Sequence, residues 1–200
     1  MRLLIVDVEA GGFEAQKHAL LEIGAVVANH KLDELDRFHA IICPSSALVV
    51  GAEALKVTGL ALRELSQTGI PERSAILGLL GFAAKHADGG PFPILAGWNI
   101  SFDSEFLMAA CRRHGLGWPF SHRMMDVQSV WAFHQGWNFN GLTDAARKIL
   151  DDAPQHRALS DALLTLRLLK ALFEGRDLGS RATPHNTTED VEDQHRPTSS

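Results

Sequence analysis

The chain has 200 residues, 46% of them apolar, enough for one sizeable hydrophobic core, so a single domain is expected. A formal charge of −5 excludes a strongly basic protein that coats nucleic acid, though not an enzyme that grips a few phosphates through metal ions. The two cysteines, Cys43 and Cys111, lack CxxC spacing, which argues against a zinc site or a disulfide scaffold.

At the N-terminus, "LLIVDV" (3–8) is a short, almost wholly apolar run, as in a strand buried on both faces. It is too short for a signal peptide, and "AILGLLGFAA" (75–84) has half the length of a bilayer span. A soluble, cytoplasmic protein without membrane contact is expected. "LLEIGAVVANH" (20–30) and "LDRFHAIIC" (35–43), joined by the polar "KLDE", predict an antiparallel meander with the first strand. Helices are expected over 51–67 and 72–87, the second opening just after Pro71. "FPILAGW" (92–98) reads as another strand, and 101–115 as a helix closed by Gly115. Further helices are expected at 126–135, 142–150 and 159–174. The whole is an α/β domain around a mixed sheet, over residues 1–175. Residues 176–200 are polar and free of aromatics, and read as a disordered tail.

Several acids stand where a core should be. Asp7 and Glu9 are two apart on a strand and therefore share a face. Burying two like charges side by side is costly unless the strand's mouth is wet or a cation neutralises them. Oxygen-only donors would select a hard ion such as Mg²⁺ or Mn²⁺. Asp103 shares a helix face with Phe106, Leu107 and Ala110, and Asp161 one with Leu164, Leu168 and Leu172. Each could equally be a first-turn carboxylate facing the helix dipole, with Ser101 or Ser160 as a cap. His156 precedes Asp161 by five residues, which on one helix would separate the two side chains by roughly 140°. If His156 lies instead on the loop after "DDAPQ" (151–155), it is free to stand near the acids, where an imidazole can act as a base near neutral pH.

"VDVEAGG" (6–12), "GWNISFD" (97–103) and "HRALSDA" (156–162), in that order, resemble the three motifs of the DEDDh 3′→5′ exonucleases, the group of ribonuclease T and the polymerase III proofreading subunit. "LLEIGAVV" (20–27) resembles that family's second strand. The resemblance implies a ribonuclease H-like fold, with a mixed central sheet of about five strands flanked by helices. It implies that Asp7, Glu9, Asp103 and Asp161 hold two divalent cations, Mg²⁺ or Mn²⁺, and that His156 is the general base. A sister group uses tyrosine for that base, and this chain contains no tyrosine. The activity implied is metal-dependent hydrolysis at the 3′ end of single-stranded nucleic acid, DNA ahead of RNA, releasing 5′-mononucleotides. A DNA polymerase or a second copy of the chain are further partners that the resemblance allows.

Ala10, Asn99 and Phe102 fall at the family's substrate-binding positions. The chain departs from the pattern at Ala10, commonly threonine, at Trp98, usually histidine, and at Thr58, where a histidine usually precedes the glycine. These departures touch substrate preference and no metal ligand. Candidates for stacking the bases of a single strand are Phe13, Phe102 and the group Trp131, Phe133, Trp137 and Phe139, for each of which a place in the core is the more ordinary role. Trp137 and Phe139, in the polar "GWNFNG", are the pair expected to be exposed. Arg157 is placed to reach a phosphate, whereas Arg112, Arg113, Arg147 and Lys148 are expected as solvated helix ends. Two other readings stand beside this one: an idle adaptor that binds a nucleic-acid end or a polymerase, and a hydrolase of short oligonucleotides or dinucleotides.

Overall fold

The computed structural model describes residues 2–87 and 89–175, so the expected tail lies outside the described residues. Three strands, β1 (Leu3–Ala10), β2 (Leu20–Ala28) and β3 (Glu34–Cys43), form the antiparallel meander read from the sequence. Every residue of β2 is buried, because it is covered on both faces and flanked by a strand on each side. After β3 come α1 (Ala52–Thr58), α2 (Leu62–Thr68), β4 (Ile70–Pro71) and α3 (Glu72–Lys85). The second half runs β5 (Ile94–Gly97), α4 (Ile100–Arg113), β6 (Met125–Asp126), α5 (Val127–His134), α6 (Leu142–Leu150) and α7 (Ala158–Phe173).

The sheet order is β4-β3-β2-β1-β5-β6, with β5 parallel to β1. Six strands replace the expected five or so, because both edges carry a two-residue strand too short to leave a periodic signal. The single helix expected at 51–67 is two: Gly59 adopts φ 68° and ends α1. A residue without Cβ takes that left-handed turn readily, whereas in a helix interior it costs about 1 kcal/mol.

Alternation along β1 decides what each face meets. Leu4, Val6 and Val8 point to one side and pack with Ile76 and Leu79 of α3 and Phe106 and Leu107 of α4. Leu3 and Ile5 point to the other, against Ala162, Leu166 and Leu169 of α7. Asp7 and Glu9 continue this second stripe past the point where α7 begins. Among the described residues, no helix is long and apolar enough to cross a membrane.

Candidate active site

Asp7 and Glu9 lie at the C-terminal end of β1, where α7 starts on one face and α4 on the other. Asp161, in the first turn of α7, completes a group with them: one ligand oxygen from each of the three lies within 4.8 Å of the others. Asp103 arrives from the first turn of α4 and is 3% exposed. Its Oδ1 accepts the backbone N–H of Val8, between the two β1 acids, at 2.8 Å. All four carboxylates line one cleft of about 270 Å³, together with Trp98, Asn99, Phe102 and His156.

Proximity leaves a chemical signature. Burial, then the charges of Asp103 and Glu9, raise the Asp7 carboxyl well above its ordinary range. Glu9 is raised to about 8, first by burial and then by Asp161 and Glu22. Burial raises Asp103 to about 7, against two backbone hydrogen bonds that lower it. Asp161 is raised too, chiefly by burial. Acids crowded in this way hold protons at neutral pH or bind a cation, and a donor set of carboxylate oxygens alone fits a hard divalent ion. Asp7, Glu9 and Asp161 could hold one such ion, and Asp103 could share a second with Asp7.

His156 does sit on a loop ahead of α7, exposed at the rim of the cleft, so no helical separation applies to the pair. Its φ is 51°, in the left-handed region that a non-glycine residue enters at a cost. Asp161 holds it there: Oδ1 accepts the N–H of Gln155 at 2.8 Å and Oδ2 that of His156 at 3.1 Å. The carboxylate thus faces back onto the loop, and neither Ser160 nor Asp161 is the N-cap of α7, which is Arg157. Likewise the N-cap of α4 is Asn99, with φ 57°, rather than Ser101, whose hydroxyl donates to Asn99 Oδ1 at 2.9 Å. The Asn99 N–H in turn donates to Asp126 Oδ1 at 3.0 Å.

Beside the cleft lies a second hollow of about 360 Å³, lined by Ala10, Phe13, His18, Glu53 and Phe102 among others. Phe102 and Glu9 belong to both. Phe13 is 89% exposed at the rim. Of the other aromatics, Trp131 is fully buried in the core, whereas Phe133, Trp137 and Phe139 are exposed. Phe133 and Trp137 meet edge to face, with centroids 5.6 Å apart.

Two cations differ from expectation. Arg113 is no solvated helix end: it forms a fork with Glu72 at 2.7 and 3.1 Å and donates to the Ala15 carbonyl. Arg157, its side chain 37% exposed, is paired with Glu22, donating from Nε to Oε2 at 3.0 Å and from Nη2 to Oε1 at 3.2 Å. Glu22, opposite Glu9 in the β1–β2 ladder and 1% exposed, is the residue sequence reasoning passed over. A charged side chain inside the otherwise apolar "LLEIGAVVA" was the available signal.

An exonuclease family model, RNase_T, matches residues 4–169. The ribonuclease T of Haemophilus influenzae (strain PittGG) is 32% identical over 93% of this chain and 85% of its own. That of Actinobacillus pleuropneumoniae serotype 5b is 29% identical over 88% and 85%. Among solved structures, the nuclease domain of 3'hExo, a DEDDh family member bound to rAMP, superposes with a TM-score of 0.71 at 19% identity, covering 87% of this chain and 92% of that domain. A zinc-bound E. coli exonuclease I complexed with single-stranded DNA gives 0.71 at 16% identity, over 88% of this chain. This chain spans only 41% of that exonuclease I chain.

Proposed function

Since the chain belongs to the RNase T exonuclease family, in the DEDDh group of 3′→5′ exonucleases, we propose that it trims single-stranded RNA and DNA from the 3′ end, releasing 5′-mononucleotides. The observation that carries this reading is the convergence of Asp7, Glu9 and Asp161 on one point, with Asp103 and the exposed His156 in the same cleft. RNA stands beside DNA because the two Haemophilus and Actinobacillus relatives, matched over 93% and 88% of this chain, carry the name ribonuclease. The exonuclease domain in this reading is residues 1–175, with 176–200 outside it.

Asp7, Glu9 and Asp161 would hold one divalent cation, Mg²⁺ or Mn²⁺, and Asp7 with Asp103 would help hold a second. When bound, the pair supplies Lewis acidity and neutralises charge on the scissile phosphate. His156, at the rim, accepts the proton of the attacking water, and its exposure lets it pass that proton to solvent. Asp161 keeps the His156 backbone in its left-handed conformation through two N–H bonds. The Val8 N–H fixes one oxygen of Asp103 within the cleft. Ala10 offers no hydroxyl to the terminal nucleotide, so that nucleotide is held by the backbone there, by Asn99, and by the face of Phe102.

The test is a degradation time course on matched 5′-labelled single-stranded DNA and RNA, with Mg²⁺ or Mn²⁺ and with chelator, beside the Asp7→Ala protein. The expected result is a ladder shortening from the 3′ end, lost with chelator and in the variant. Folded protein that leaves both polymers intact but cleaves dinucleotides would replace this reading with that of a short-oligonucleotide hydrolase.

A further inference from the structure

Glu22 adds a further carboxylate near Asp7, Glu9 and Asp161, but its oxygens are engaged elsewhere. Its Oε1 meets His39 Nε2 at 2.6 Å, and both its oxygens face the Arg157 guanidinium. A carboxylate that is 1% exposed needs such a partner, because removing one member of a buried pair leaves an uncompensated charge. The pairing also defines Arg157. Its Nε–Nη2 edge, one of the two edges by which a guanidinium can fork a phosphate, is engaged by Glu22.

Arg157 follows His156 directly and is the N-cap of α7, at φ −130°. The next two residues, Ala158 and Leu159, lay their backbone against Gly24 of β2, so close that a Cβ on Gly24 would come within 2.1 Å of the Leu159 nitrogen. The segment 155–159 is therefore fixed at three points: the Asp161 carboxylate on two N–H groups, the Arg157 fork on Glu22, and the backbone contact with Gly24. Two of the three are on β2. The strained φ of His156 lies between the first and the second.

We propose that Arg157 is a positioning residue which acts through Glu22: the fork ties the loop to β2 and holds His156 over the acids, and Arg157 does not grip a substrate phosphate. This rests on the reading of His156 as the base. A misplacement of about 1 Å in a reacting group can cost on the order of 10²-fold in rate, so the anchoring has a measurable consequence.

The test is a double-mutant cycle of Arg157→Ala, Glu22→Gln and the pair, with Arg157→Lys added, on 5′-labelled oligonucleotides at saturating Mg²⁺. Arg157→Ala is expected to lower kcat by about 10- to 100-fold with KM changed by less than about 3-fold and an unchanged salt slope. Glu22→Gln should lose a similar factor, the double variant no more than about 3-fold beyond the worse single, and Arg157→Lys should recover part of the loss. Losses that multiply, or a raised KM and shallower salt slope in Arg157→Ala with Glu22→Gln near wild type, would overturn the proposal in favour of a phosphate contact. Amide exchange of the peptide around 153–158 tests it without activity: faster exchange in Arg157→Ala supports the anchor, and unchanged exchange sinks it. Wild-type protein without any nuclease activity would instead remove the function reading, leaving the exchange result to judge the anchor.

Discussion

Asp161 accepts the backbone N–H groups of Gln155 and His156 on its two separate oxygens while standing within ligand distance of Asp7 and Glu9. One side chain thus orders the loop of the proposed base and belongs to the proposed metal site. Asparagine has the shape but only one acceptor oxygen, and its amide nitrogen would face a donor. Asp161→Asn is expected to lower kcat by at least about 10²-fold and to speed amide exchange across 150–157. Exchange and turnover both at wild-type levels would separate the loop from the acid.

Replacing His156 by alanine removes the imidazole and leaves every carboxylate in place. Turnover should fall by about 10²–10⁴-fold, the usual scale of losing a general base. Titration calorimetry with Mn²⁺ should give the stoichiometry of the wild type. An unchanged turnover would take the proton-accepting role away from His156.

Much of this site was legible because its chemistry conflicts with its surroundings. Asp7 and Glu9 interrupt an apolar stripe at a spacing of two, and Asp161 sits beneath leucines on one helix face. Both contradictions survive in the fold as carboxyls raised by burial. The central meander was legible for the opposite reason, since β1 and β2 are apolar almost throughout. What escaped depends on distance along the chain. Arg157 and Glu22 are 135 positions apart, so their fork, like the Arg113–Glu72 fork, has no local pattern. The two-residue strands β4 and β6 are equally silent, existing only because a neighbour pairs with them.

Gly24 is a packing constraint that composition alone would pass as an ordinary strand glycine. A methyl group there meets the backbone of Ala158 and Leu159, and backbone cannot rotate aside as a side chain can. Gly24→Ala is expected to destabilise by about 1–3 kcal/mol in urea unfolding and to depress turnover through the displaced start of α7. A stability within about 0.5 kcal/mol of wild type would show that α7 shifts freely.

Trp137 and Phe139 are exposed on the segment leading into α6, whose Leu142 and Thr143 line the cleft. Phe139 is three residues from Leu142, a reach of at most about 10 Å, so bases beyond the terminal one can come to it. Stacking contributes about 1–3 kcal/mol per base, so losing even one stacked base in the Trp137→Ala/Phe139→Ala double variant predicts a KM raised about 5- to 160-fold on a ten-nucleotide strand. Dinucleotides are too short to reach and should be cleaved as by the wild type. Equal effects on both lengths would move these aromatics out of the substrate path.

The raised carboxyls fix how the metal-free protein responds to pH. Glu9 goes from 4.5 to about 8, mainly through burial, and Asp103 from 3.8 to about 7 for the same reason. Folded, each binds its proton more tightly than the unfolded chain does. Between roughly pH 4 and 8 the native state therefore carries more protons, and stability falls as pH rises. The stabilisation is whole below the unfolded values and is lost on passing the folded ones. Asp36, lowered to about 2 by Lys85 and His86, has the opposite sign but acts below this window. In chelator, the Tm should decline from pH 5 to pH 8. Divalent cation replaces the protons, so Mg²⁺ or Mn²⁺ should raise the Tm more at pH 8 than at pH 5. Glu9→Gln should raise the chelated Tm at pH 8 and shrink the response to the ion. Scanning calorimetry across this range decides it, since a chelated Tm that climbs with pH would mean the acids are not crowded when the cation is away.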